Sequence, residues 1–484
     1  MLLDFFWQAA CGQRGFSRKG MSEMKTKPLN QKDVMQVGQV IMVTIKRLGI
    51  NGEGVGYYKK KIVFIDGALP GEVAVAEVKK VEKNLAYAEL VRVKEKSPHR
   101  IKPMCPVYHE CGGCQLQHMN YEGQLQSKKE LVVEAFSRYM KTDKPLVIHE
   151  TLGMDHPWSY RNKAQLQVGL ANGKVITGLF AAGTHQLIDI SDCPIQHPIT
   201  NQIVQTTRDV LEQLGIPIYN ERKRTGVIRT VVARVGFQTE NAQLTLVTVS
   251  DEIPKVKELI LELRHRMPFV QSIMQNINDK KTSLIFGDRT KVLWGEATID
   301  EKLGEVQFSL SPRAFFQLNP EQTIKLYSSV RKAAGLTGKE LVVDAYCGVG
   351  TIGLWLAPDA GEVRGIEVIQ EAVEDARHNA KQSGISNASF YVGKAEQLLP
   401  QWVKQGLKPN VVVVDPPRTG CDEQLLRALL SVKPKRIVYV SCNPSTLAKD
   451  CSLLAQGYDI KWVQPVDMFP QTAHVESVTL LEKR

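Results

Sequence analysis

Residues 341–353 constrain the fold more than any other stretch. Leu341-Val342-Val343-Asp344 is an apolar strand closed by a carboxylate, the glycines 348 and 350 form a turn, and Thr351 opens a helical run. Glycine lets a backbone approach a ligand closely, although a tight strand-to-helix turn also needs it for steric reasons. Glu367 ends the next strand, Val363 to Glu367, 19 residues after Gly348. A carboxylate there accepts hydrogen bonds from a ribose diol. The alternation continues on both sides. Helices are expected over 321–334, 371–383 and 425–430, and strands over 389–392, 411–415 and 436–440. Strands alternating with helices predict an α/β fold with a doubly wound sheet whose ligands lie at the carboxyl ends of the strands.

A chain of 484 residues has room for more than this one domain. Residues 1–36 read as a disordered tail. Met1 to Cys11 is apolar but short and carries Asp4, a poor fit to a secretory leader. Residues 37–96 read as a small β-barrel. Ile41, Val43 and Ile45 alternate with Val40, Met42 and Thr44, Gly52 to Gly56 reads as a turn, and further strands follow at 62–65, 73–78 and 86–93. Residues 97–310 form a central α+β domain, with helices over 128–141, 200–215 and 254–266, and residues 311–484 hold the doubly wound sheet.

Lys and Arg outnumber Asp and Glu by 62 to 51, and residues 1–100 alone hold 18 against 10. Positive charge concentrated on a small barrel suits a polyanion such as RNA. No apolar run approaches the roughly 20 residues of a membrane span. Nine cysteines, an odd number with three of them clustered, argue against a secreted disulfide framework and for a reducing cytosolic setting. Cys105, Cys111 and Cys114, with Cys193 downstream, offer four thiolates. Such a set suits a [4Fe–4S] cluster or a tetrahedral zinc ion, and spacing alone does not separate the two.

Three further motifs follow strands of the C-terminal domain. Asp415-Pro416-Pro417-Arg418 is a loop stiffened by two prolines that lack an N–H. Ser441-Cys442-Asn443-Pro444 puts a thiol where ligands bind, with turn residues that argue against simple core packing. His474-Val475-Glu476 lies near the C-terminus, where a carboxylate is ordinarily solvated. Residues 348–353 also match G-x-G-x-x-G, so an NAD-linked oxidoreductase is a rival reading. That rival has no use for Cys442 and Glu476 together. A non-catalytic RNA-binding protein with a metal-stabilised core is a second rival.

Taken in order, Phe315-Phe316-Gln317-Leu318-Asn319, Asp344 to Gly350, Asp415 to Arg418, Ser441 to Pro444 and His474 to Glu476 resemble the RNA uracil-5-methyltransferase family, which uses S-adenosylmethionine. The barrel resembles that family's TRAM domain, and Tyr160-Arg161-Asn162-Lys163 resembles another of its segments. The resemblance covers about residues 37–484 and implies a Rossmann-like catalytic domain. It implies that Gln317, Tyr346, Glu367 and Asp415 bind S-adenosylmethionine, that Cys442 is the nucleophile and that Glu476 is the general base. It also favours a [4Fe–4S] cluster on Cys105, Cys111, Cys114 and Cys193. The cysteine cluster and the barrel bring the chain nearest to members acting on 23S rRNA, with transfer RNA as the alternative substrate. No obligate protein partner is expected. The residue types suit the chemistry, because C5 of uracil is a weak nucleophile until a thiolate adds at C6.

Overall fold

The computed structural model describes residues 35–140 and 145–484. The tail expected over 1–36 therefore lies, up to residue 34, outside the described residues. The chain divides into two compact units, Met1–Arg100 and Ile101–Arg484.

The first unit is a closed five-stranded barrel of strands Val40–Leu48, Gly54–Tyr58, Lys61–Ile65, Val73–Val81 and Leu85–Glu95. Ile41, Val43 and Ile45 point inward and are fully buried, whereas Val40 and Met42 face solvent. This is the two-residue alternation of a half-buried strand. Met35, just ahead of the expected start of the barrel, also packs in its core. The glycine stretch read as a turn is partly a strand: Gly54 and Gly56 lie in strand Gly54–Tyr58. A Cβ on Gly56 would collide with the Val43 side chain and the Thr44 carbonyl oxygen, so glycine here allows close strand approach. Lys59 and Lys60 form the hairpin tip, both with positive φ (46° and 67°).

In the second unit, helix Tyr121–Tyr139 begins ahead of the 128–141 expected, because the Asn120 side chain caps it by accepting from the Gly123 N–H at 2.9 Å. Residue 141 lies outside the described residues. A seven-stranded sheet spans residues 163–295. Helices Pro198–Leu214 and Val256–Arg266 cover one of its faces around a core of Leu166, Val231, Leu244 and Leu263. The hairpin Ile299–Leu303 and Val306–Leu310 packs instead into the core of the C-terminal domain.

The C-terminal sheet has seven strands in the spatial order Ala388–Val392, Glu362–Glu367, Leu341–Ala345, Val411–Val414, Arg436–Ser441, Glu476–Lys483 and Tyr458–Val466. The first five run parallel. Strand Glu476–Lys483 is inserted antiparallel between its neighbours. The switch point lies between Leu341–Ala345 and Val411–Val414, and in sheets of this kind ligands bind outside the strands' carboxyl ends at that point. Among the described residues no helix is long and apolar enough to cross a membrane.

Candidate active site and cysteine site

The candidate site begins at Asp344. This side chain is fully buried, and its Oδ2 accepts from the Gly353 N–H at 2.8 Å, tying the strand end to the helix that follows the glycine turn. Its Oδ1 is buried without a hydrogen-bond partner in the protein. Burial pushes the carboxyl up to about 8, and Asp415 and Glu367 add to the rise. The turn itself is left-handed at Tyr346 (φ 66°), Gly348 (φ 54°) and Gly350 (φ 84°). Gly350 is required, because a Cβ there would meet the Phe390 ring at 2.9 Å. Glu367 caps the neighbouring strand. One oxygen accepts from the Gly348 N–H at 3.2 Å, and the other from Val368 and Ile369 at 2.8 and 3.0 Å. Tyr346, Glu367 and Asp415 thus stand at the ends of adjacent strands.

Gln317 is buried on a separate segment, two residues before Asn319, which caps helix Pro320–Ala334. Its backbone is held from the central region: Asn162 Nδ2 donates to the Gln317 carbonyl at 3.0 Å, and Asn162 N–H donates to that of Leu318 at 3.0 Å.

Asp415, Cys442 and Glu476 form one electrostatic group. Burial pushes Asp415 up to about 7. Burial, then Glu476 and Asp415, push the Cys442 thiol up to about 12. Glu476 is 7% exposed, and burial with Asp415 beside it holds its carboxyl near 8. The opposing influence on Cys442 and Glu476 is Arg418, whose charge favours both ionised forms. Arg418 lies 3.3 Å from His474 Nδ1. Burial and the cations Arg418, Lys128 and Arg161 hold His474 down to about 3, so it is neutral and Nδ1 accepts.

The two loops that carry these groups are cross-linked. Asn443 Nδ2 and Thr446 Oγ1 donate to the Arg418 carbonyl at 3.0 and 3.3 Å. Asp450 Oδ2 accepts from the Cys421 N–H at 2.8 Å and from the Tyr439 hydroxyl at 2.7 Å. Sequence reasoning missed Asp450. Its signal was available: a lone acid among Leu447, Ala448, Cys451 and Leu454, all buried on the same short helix. Tyr160 is 1% exposed and donates to the Pro470 carbonyl at 2.9 Å, so it is a packing residue.

Cys105, Cys111, Cys114 and Cys193 are each partly buried and unpaired by disulfides. Burial raises all four thiols, Cys114 to about 12 and Cys193 to about 11. They also feel one another: Cys111 responds to Cys105, Cys114 to Cys193 and Cys111, and Cys193 to Cys111 and Cys105. Among the described residues no three His, Cys, Asp or Glu side chains converge closely enough to hold a metal ion. His118, close in sequence to these cysteines, is buried with Nδ1 2.6 Å from the Tyr108 hydroxyl.

A family model described as tRNA (Uracil-5-)-methyltransferase matches residues 282–484, and a TRAM domain model matches residues 35–91. The chain is 58% identical over 447 residues to a Bacillus anthracis protein described as an uncharacterized RNA methyltransferase, covering 92% of this chain and 97% of that one. A Listeria monocytogenes protein with the same description is 52% identical over 456 residues, covering 94% of this chain and 99% of that one. Among solved structures, the Pyrococcus abyssi tRNA (uracil-54, C5)-methyltransferase in complex with S-adenosyl-L-homocysteine aligns with a TM-score of 0.72 at 27% identity, over 91% of this chain and 100% of that one.

Proposed function

Because this chain belongs to the RNA uracil-5-methyltransferase family, we propose that it methylates C5 of a uridine in 23S rRNA through a covalent Cys442 adduct. The observation that carries this reading is the shared electrostatic group of Cys442, Glu476, Asp415 and Arg418 at the ends of three neighbouring strands.

The Cys442 thiol first releases its proton to water, and the thiolate, whose charge Arg418 favours, adds to C6 of the uracil and moves the ring's π electrons toward C5 and O4. S-adenosylmethionine, when bound, supplies the electrophilic methyl that C5 takes up. Glu476, whose ionised form Arg418 favours against burial, then accepts the C5 proton, the C5–C6 double bond re-forms, and Cys442 departs as thiolate. The Asp344 carboxyl with its unpartnered oxygen, together with Asp415 and Glu476, makes a crevice suited to a cationic ligand. Gln317, Tyr346, Glu367 and Asp415 are the residues we assign to holding the cofactor.

A [4Fe–4S] cluster on Cys105, Cys111, Cys114 and Cys193 belongs to the same proposal. The chemistry of the donor set, four unpaired soft thiols, is what supports it; because no three of them converge to metal-binding distance among the described residues, they would have to draw together to hold it. With all four irons ligated by protein, its role is structural or RNA-organising. Anoxically purified protein should then be brown, with broad absorbance near ~400 nm. A colourless protein carrying one zinc per chain would replace the cluster by that ion. The setting is the cytosol, where such thiols stay reduced.

Transfer RNA is the second reading, favoured by the substrate of the Pyrococcus abyssi enzyme. The test is transfer of labelled methyl to ribosomal and transfer RNA from a strain lacking the protein, followed by mapping of the modified base. Label confined to 5-methyluridine in 23S rRNA supports the proposal, label confined to transfer RNA selects the second reading, and no label in either overturns both.

A further inference from the structure

The segment 467–474 leads directly into Glu476, and it is held mainly from outside its own sheet. Asp467 and Lys128 are both completely buried, with Nζ 2.5 Å from Asp467 Oδ1 and 3.2 Å from the Phe469 carbonyl. The Tyr121 hydroxyl donates to Asp467 Oδ2 at 2.9 Å, and the Tyr160 hydroxyl to Pro470. Gln471 is a non-glycine residue in the left-handed region (φ 70°) and is 3% exposed. Its carbonyl accepts from the Gln115 and Leu116 N–H groups at 3.1 and 2.9 Å. Its own N–H donates to Gln124 Oε1 at 2.9 Å, and its Oε1 accepts from Gln124 Nε2 at 3.0 Å. These partners come from residues 115–160. On the other side, Asn319 and Gln322 donate to the Met468 and Asp467 carbonyls at 3.1 and 2.8 Å. A backbone held in a rarely populated conformation by this many contacts is over-determined, and such strain clusters where geometry matters for function.

We propose that Lys128 and Gln471 are positioning residues for Glu476: with Asp467 they form a rigid bracket that sets the carboxylate accepting the C5 proton. The inference rests on the function proposed above. Cys442 lies on a different strand and loop, so a loosened bracket leaves formation of the Cys442–C6 bond and methyl uptake intact. It slows the step in which the C5 proton passes to Glu476, the C5–C6 double bond re-forms and the S–C6 bond breaks. Methylated RNA then stays bonded to the enzyme.

Lys128→Met removes the buried ammonium, and Gln471→Gly keeps the left-handed backbone while removing the amide. Glu476→Gln is the benchmark for a missing base. Each protein is assayed with RNA and labelled S-adenosylmethionine for turnover and for the fraction recovered as a denaturant-stable methylated RNA adduct, per molecule able to bind S-adenosylhomocysteine. The bracket predicts turnover lowered by about 10- to 100-fold in both variants, KM for RNA within about twofold of wild type, and adduct accumulating as in the benchmark. If Glu476→Gln accumulates adduct but neither variant does, the bracket is overturned while the mechanism stands. If Glu476→Gln itself accumulates none, the assignment of Glu476 and the bracket fall together.

Discussion

Replacing Glu476 by glutamine should stabilise the cofactor-free protein, by an amount that grows with pH. The wild-type carboxyl is 7% exposed and titrates near 8 when folded, against an ordinary 4.5. Between those values the folded chain keeps a proton that the unfolded chain has released, so stability falls as pH rises through this window. At about 1.4 kcal/mol per pH unit, the full window costs between about 3 and 5 kcal/mol. Glutamine has nearly the same shape and does not ionise. The variant should therefore match wild type near pH 4 and exceed it by about 3–5 kcal/mol at pH 8 and above. Urea unfolding from pH 4 to 9, followed by fluorescence of the buried Trp355 and Trp402, measures the difference. A gap that does not change with pH, or a variant less stable than wild type at pH 8, would refute the reasoning.

Two other expectations concern the barrel and the loop that carries Cys442. Lys59 and Lys60 occupy a hairpin tip that favours Asn-Gly. Changing Lys59→Asn together with Lys60→Gly should stabilise the barrel by about 1 kcal/mol, weaken RNA binding and lower its salt slope by up to about 2; thermal melts and a salt titration of RNA affinity check this. Asp450→Leu should strand the Tyr439 hydroxyl and the Cys421 N–H, at a cost of about 1–3 kcal/mol. Methyl transfer in that variant should fall even where a denaturation curve shows the protein fully folded, because the segment after Arg418 loses one of its ties to the helix after Cys442.

The doubly wound sheet was legible because its strands are short, apolar and closed by chemistry-bearing residues: Asp344, Glu367, Asp415 and Cys442 all stand where the pattern puts them. The position of Glu476 was not. Near a C-terminus a carboxylate is ordinarily solvated, yet Glu476 begins a strand lodged between Arg436–Ser441 and Tyr458–Val466. That insertion depends on pairing between segments distant in sequence, which no local pattern encodes. Gly54 and Gly56 misled for a similar reason: glycine marks a turn locally, whereas here it permits one strand to press against another. Lys128 was invisible because lysine in a helix is normally solvated. It sits on the same helix face as the buried Val132, Ala135 and Phe136, and only its distant partner Asp467 makes that burial possible.

The account stands on a covalent bond between Cys442 and the substrate ring. RNA containing 5-fluorouridine at the modified position tests it most directly, because C5 then carries fluorine in place of the proton Glu476 would remove. Mass spectrometry of the digested complex should find the fluorinated, methylated nucleotide bonded to Cys442, and Cys442→Ala should bind the same RNA without trapping it. Turnover in Cys442→Ala, or a fluorinated RNA that never bonds to Cys442 while unmodified RNA is methylated normally, would contradict the mechanism.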